Sequence, residues 1–144
     1  MAHADENKEP AIYTGQLDSN GFAIVPIALL GADLNNGLEK TNALIDTGAN
    51  VSACKESLFK KLSFKKAREL PTDSLQDGST KLEDEYFGVL YFPFSTDMGH
   101  IQFVVREKLH GSTFDFVIGT WFLKRYCEFT YNKEANSFTL KFKV

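Results

Sequence analysis

The residues best able to do chemistry lie in one short run, Ala43-Leu44-Ile45-Asp46-Thr47-Gly48-Ala49-Asn50. Apolar residues lead into a carboxylate, and a glycine follows two positions later. Such a run reads as a strand, so Asp46 stands at the rim of a core, where a carboxylate can accept or donate a proton. The plainer alternative is a strand that ends in an Asp-Thr-Gly turn, since Asp and Gly are ordinary turn residues. Other chemistries find less to work with. Cys54 and Cys127 are the only cysteines, too few for a disulfide scaffold or a four-cysteine zinc site. Neither stands in the basic-plus-histidine setting that activates a thiol, so both read as buried free thiols, their pairing left open. His3, His100 and His110 lack HExxH or any Cys/His ligand spacing, and His100 and His110 read as exposed. No metal and no cofactor is expected.

The elements that must position Asp46 are short and β-favouring. Thirteen phenylalanines and five tyrosines are spread along the chain, which suits half-buried pleated surfaces. Phe22 to Leu30 reads as a strand with Pro26 at an edge or bulge. Gly31 to Lys40, with Asn35-Asn36-Gly37, reads as a long hairpin loop, and Thr41 to Asp46 as the strand it feeds. Leu58, Phe59 and Leu62 stand at helical spacing within Lys55 to Leu62. Asp77-Gly78, between Leu75 and Leu82, is a hairpin-tip signal. Tyr86 to Phe94 is apolar on both parities, as in a strand covered on both faces, and Pro93 interrupts its end. Ile101 to Val105, Phe114 to Ile118, Cys127 to Tyr131 and Ser137 to Val144 complete the strands. Trp121 to Tyr126 is the second helix candidate, and Asn132 to Asn136 the last turn. Lys60, Lys61, Lys65 and Lys66 read as a surface face, as does Glu83-Asp84-Glu85. Asp115 reads as a turn residue or a hydrogen bonder behind the site. The fold class expected is mostly β, a closed or orthogonally packed small barrel.

Three pieces occur in order: ALIDTGAN, then LQDGSTKLEDEYFG, then FDFVIGTWFLKRYCEFTYN. Together they resemble the retropepsins, the retroviral-type aspartic proteases, and the resemblance runs from about Phe22 to Phe142. The first piece is similar to that family's catalytic loop, the second to the flap hairpin that closes over substrate, the third to its second signature. The resemblance implies a retropepsin-like closed or orthogonal small β-barrel with a flap hairpin and one or two short helices. It also implies a catalytic Asp46 braced by Thr47 and Gly48. The substrate is an extended polypeptide, held between a floor of Gly48, Ala49 and Asn50 and a flap of Asp77, Gly78 and Ser79. Val117 and Ile118 lie near the apolar pockets or simply in the core. Two carboxylates side by side can activate water, polarise the carbonyl and protonate the leaving nitrogen, because like charge keeps one of them protonated. This chain carries one Asp-Thr-Gly, so the second carboxylate must come from a second copy, which makes a C2 homodimer the expected assembly. SFTLKFKV, from Ser137 to Val144, is either the strand shared across that dimer or an edge strand within the monomer.

Some features depart from the viral pattern. Many viral members pair an acidic residue after Asp-Thr-Gly-Ala with an arginine after the later glycine; here Asn50 and Thr120 fill those places. Both halves are replaced together, which points to a cellular, bacterial or retroelement relative. Two alternatives to a protease stand: a retropepsin-like module that binds peptide or dimerises with little turnover, and an unrelated small barrel in which Asp46 caps a turn.

Composition narrows the rest. The chain has 144 residues with a formal charge of −3, and 43% of them are hydrophobic, enough for one domain with a real core. Residues 1–10 read as an N-terminal arm and 11–144 as a single domain. A mildly acidic balance without a basic run argues against nucleic acid as partner. No run reaches the ~20 apolar residues of a membrane helix, so no membrane partner is expected. Met1 to Pro10 lacks the plan of a signal peptide, and the expected location is intracellular.

Overall fold

The computed structural model describes residues 11–31, 37–73, 79–95, 98–109, 111 and 113–142. Ten strands and two short helices follow one another along them: β1 (Ile12–Gln16), β2 (Ile24–Leu30), β3 (Leu38–Ile45), β4 (Ser52–Lys55), α1 (Glu56–Phe59), β5 (Lys65–Asp73), β6 (Thr80–Tyr91), β7 (Met98–Arg106), β8 (Phe116–Ile118), α2 (Thr120–Tyr126), β9 (Cys127–Asn132) and β10 (Ser137–Phe142). The expected mostly-β, barrel-like architecture with two short helices is present.

The larger sheet has the order β2-β3-β8-β4-β7-β6-β5, and β2 also pairs with β6, which closes a ring. β6 can serve three neighbours because it is long. Its Val89–Tyr91 end pairs with β2, its Thr80–Phe87 part pairs with β5, and β7 runs along its other side. The β5–β6 hairpin therefore projects beyond the ring. Pro26 lies in a stretch of β2 that pairs with β3 alone, an edge position where a missing N–H does no harm.

The ring is filled by rings. Phe92, Phe103, Phe116 and Phe138 are fully buried, along with Leu29, Leu90, Ile101 and Ile118. Phe103 meets Phe116 and Phe64 edge-on, at centroid distances of 5.6 and 4.9 Å, the T-shaped packing that aromatic quadrupoles favour. Phe92 meets Phe142 in the same way, tying the ring to the smaller sheet.

That smaller sheet, β1-β10-β9, corrects the expectation for the C-terminal strand. β10 is central, paired with β1 from Ile12↔Lys141 to Gln16↔Ser137 and with β9 from Ser137↔Asn132 to Phe142↔Cys127. It is neither an edge strand nor free to be shared. Among the described residues, the outer strands of this sheet are β1 and β9.

Other expectations also shift. β1, β4 and β5 were not foreseen. β5 is charged on both parities and contains Pro71, yet it forms because it lies at the outside of the sheet and needs only β6 as partner. β3 starts at Leu38, so the hairpin loop is shorter than Gly31 to Lys40. The strand at Tyr86 is not covered on both faces, since Phe87 is 41% exposed. The run Glu83-Asp84-Glu85 is not a solvated face. Glu85 is fully buried and accepts from Arg68 Nε at 2.9 Å, Asp84 pairs with Lys66 at 3.0 Å, and Glu83 takes Arg106 and the Thr72 hydroxyl. Lys60, Lys61, Lys65 and Lys66 are exposed, as is His100. Residues 1–10, Asn35, Asn36, Leu75 and His110, to which expectations were also attached, lie outside the described residues, as do Lys143 and Val144.

Cys54 and Cys127 are both buried. Burial, and secondarily the Asp115 carboxylate, push the Cys54 thiol up to about 12 from 9.0. Unfolding restores the lower value, so above about pH 9 the unfolded chain releases a proton that the folded chain keeps. Stability linked to this thiol is complete below pH 9 and is lost as pH rises towards 12. Urea titrations should therefore show a Cys54→Ala variant losing less stability than the parent between pH 8 and about 10.5. In the native parent at pH 8, Ellman's reagent should label neither cysteine until denaturant is added.

Candidate active site

Asp46 is the first residue beyond β3, and its backbone is fixed before its side chain is considered. β3 runs parallel to β8, with Ala43↔Phe116, Leu44↔Val117 and Ile45↔Ile118 in register. The ladder continues one step further, as Asp46 N–H donates to Ile118 O at 3.0 Å. β8 is wholly buried, so this attachment is to the core of the barrel. The chain then turns sharply. Gly48 N–H donates to Asp46 Oδ1 at 2.9 Å, and Ala49 N–H to Asp46 O at 3.3 Å. One carboxylate oxygen is thereby oriented by a backbone donor. A Cβ on Gly48 would stand 3.3 Å from that oxygen, close enough to crowd it.

The loop is clamped from the other side by Gly119 and the start of α2. Thr120 N–H donates to Ala49 O at 2.8 Å and Trp121 N–H to Asn50 O at 3.3 Å. Gly119 N–H donates to the buried Ser52 hydroxyl at 3.0 Å. Thr120 Oγ1 lies 3.2 Å from Asn50 Oδ1, so the two positions singled out for lacking an ion pair do meet, through a neutral hydrogen bond. A side chain at residue 119 would collide with Val51 C at 2.8 Å and with Ala49 O and Asn50 O at 2.9 Å. This glycine is required by close backbone approach.

Two depressions open beside Asp46. One, of about 370 Å³, is lined by Leu44, Val51, Ala53, Val104 and Val117, with Arg106 and Lys108 among its polar members. The other, of about 270 Å³, takes in Phe22, Leu44, Thr47 and Tyr131. A groove of about 260 Å³ elsewhere, around His100, Trp121 and Arg125, does not include Asp46.

The residues singled out in sequence fall as follows. Asp46 is half-buried, while Thr47 and Gly48 are exposed. Ala49 and Val117 line the larger depression with Asp46. Asn50 is exposed and engaged with Thr120, and Ile118 is a core residue with no exposed surface. Ser79 is exposed at the start of the β6 arm of the hairpin; Asp77 and Gly78 lie outside the described residues. Asp115 is a hydrogen bonder behind the site: it accepts from Thr41 Oγ1 at 3.0 Å and lies 3.9 Å from Lys55 Nζ. Sequence reasoning missed Ser52, which directly follows the Asp46 loop, and Arg106, Lys108 and Tyr131, which come from distant segments; none belongs to a local motif. Among the described residues no group of three or more His, Cys, Asp or Glu side chains could hold a metal ion.

No family model matches this chain. No curated protein matches it either. Among solved structures it is similar to the EIAV protease complexed with the inhibitor HBY-793, at a TM-score of 0.49 and 13% identity, over 72% of this chain and 86% of that one. Identity is low, and no residue role is transferred from that protein.

Replacing Gly119 with alanine should loosen the Asp46 loop, because the colliding atoms are backbone and cannot swing aside. An overpacking loss of about 1–3 kcal/mol is expected, read as a lower urea midpoint. Earlier exchange of the Thr120 and Trp121 amides should accompany it.

Proposed function

We propose that the chain is a homodimeric aspartic endopeptidase, in which Asp46 from each of two copies forms the acid pair that activates water against a peptide bond. The observation that carries this reading is the placement of Asp46. It stands at the end of a parallel-paired strand, with one oxygen held by Gly48 N–H and an apolar depression opening beside it. A turn cap needs the hydrogen bond but not the depression, nor the second clamp from α2.

One copy supplies one such carboxylate. General acid and general base work at a peptide bond calls for two proton states at once, which adjacent carboxylates provide by sharing a proton. The edge of β9 supports a second copy. Its outer side has no strand partner among the described residues, and its Tyr131 lines a depression together with Asp46 and Thr47. Two chains meeting along β9 bring their Asp46 loops toward a common axis. The substrate in this reading is an extended polypeptide that lies across the loop at Ala49, with its side chains in the depression beside Val117. The β5–β6 hairpin acts as flap, steadied by the pairing of Glu83 with Arg106.

Asp46→Asn should reduce cleavage of an unstructured protein at mildly acidic pH by roughly 100-fold or more, with the folding transition intact. Specific activity of the parent should fall on dilution, and excess Asp46→Asn protein should suppress it by forming mixed pairs. Equal cleavage by parent and variant would overturn the reading; tight peptide binding without cleavage at any pH would replace it with a binding module.

A further inference from the structure

We propose that the depression beside Asp46 selects polypeptide substrates with an acidic side chain near the cut bond, and that Lys108 sets this preference. This inference rests on the protease reading and adds a substrate class to it.

The depression is apolar along its floor and basic at one side. Leu44, Val51, Ala53, Val104 and Val117 supply the floor, with Leu109 and Phe114 beyond. Arg106, at the end of β7, and Lys108, two residues on, are its cations. They differ in what already neutralises them. Arg106 is occupied by Glu83 of β6, a pair whose side chains are 38% and 24% exposed. Lys108 is exposed, and no carboxylate among the described residues forms an ion pair with it. One positive charge is thus left over on this wall. Asp46 lies in the same depression and repels anions near itself, so an acidic group is favoured only at the Arg106–Lys108 side.

A glutamate side chain suits this division. Its methylenes can cover the apolar floor while its carboxylate reaches the ammonium group. A lysine side chain in the same place meets like charge, which disfavours it by repulsion and not merely by a missing contact. The charge pattern comes from β6, β7 and the segment after β7, none of which supplies the acid pair. Specificity and hydrolysis are therefore carried by separate side chains.

The test digests a proteome-derived peptide library with the dimeric full-length protein and reads the residues flanking each cut by mass spectrometry. For the parent, Asp and Glu should be enriched about 10-fold over Lys and Arg at one position within a few residues of the cut. The enrichment should shrink when salt is raised, because the wall is open to water. Lys108→Glu should invert the preference at that same position, and Lys108→Met should flatten it. Lys61→Glu, an exposed change outside both depressions, should leave the pattern as in the parent. Cleavage by the parent without charge preference, or an unchanged pattern in Lys108→Glu, overturns this inference and leaves the protease reading standing. Absence of cleavage by the parent overturns both.

Discussion

The candidate site depends on the parallel pairing of β3 with β8. Leu44↔Val117 and Ile45↔Ile118 set the height at which β3 stops, and the Asp46 N–H to Ile118 O bond sets where the turn begins. A parallel ladder cannot be closed by a tight hairpin, so residues far apart in sequence must be brought together by the rest of the barrel. β4 lies on the other side of β8, antiparallel, so the strands before and after the Asp46 loop flank β8 on its two sides. A shift of one residue in the β3–β8 pairing would turn Asp46 toward the opposite face. Gly119 then converts this register into a fixed loop, since only a residue without a side chain lets the carbonyls of Ala49 and Asn50 come so near.

Charge is distributed around this frame in an orderly way. Ion pairs between β5 and β6 hold the projecting hairpin: Arg68 with Glu85, and Lys66 with Asp84. The first differs in kind from the second, because Glu85 is fully buried and its Oε2 has no hydrogen-bond partner among the described residues. Removing the arginine would strand a desolvated carboxylate, whereas the Lys66 pair, with both side chains about half exposed, contributes little. Glu83 links the same hairpin to Arg106 at the wall of the larger depression. Hairpin and cleft wall are therefore mechanically connected by one carboxylate.

Much of this was legible in sequence, and the reasons are specific. Ala43-Leu44-Ile45 before Asp46 announced a buried strand end, and Phe116-Val117-Ile118-Gly119 announced a second one, because wholly buried strands read as unbroken apolar runs. The first short helix announced itself by the spacing of Leu58, Phe59 and Leu62. What stayed hidden follows from the same physics. β5 has no apolar periodicity, since an edge strand packed on one neighbour needs none. The burial of Glu85 could not be read from an acidic run, because its partner Arg68 sits across the hairpin. Lys108 and Tyr131 join the site only through tertiary folding, and single-sequence patterns do not report which loop faces which cleft. The central position of β10 was hidden for a like reason: β1, which covers it, is a short strand with every second residue exposed and a Gly next to its end.

The threading of the small sheet bears on how such a chain comes together in time. β1 is the first of the described strands along the chain and β10 the last, and they are neighbours. β1 must wait, its hydrogen-bonding groups hydrated, until the chain as far as β10 is there to pair with it. Contacts of such long sequence separation place folding toward the slow end of the range for small domains. Because both strands come from one molecule, that wait ends within each newly made chain. Closing this sheet therefore calls on no second copy of the chain.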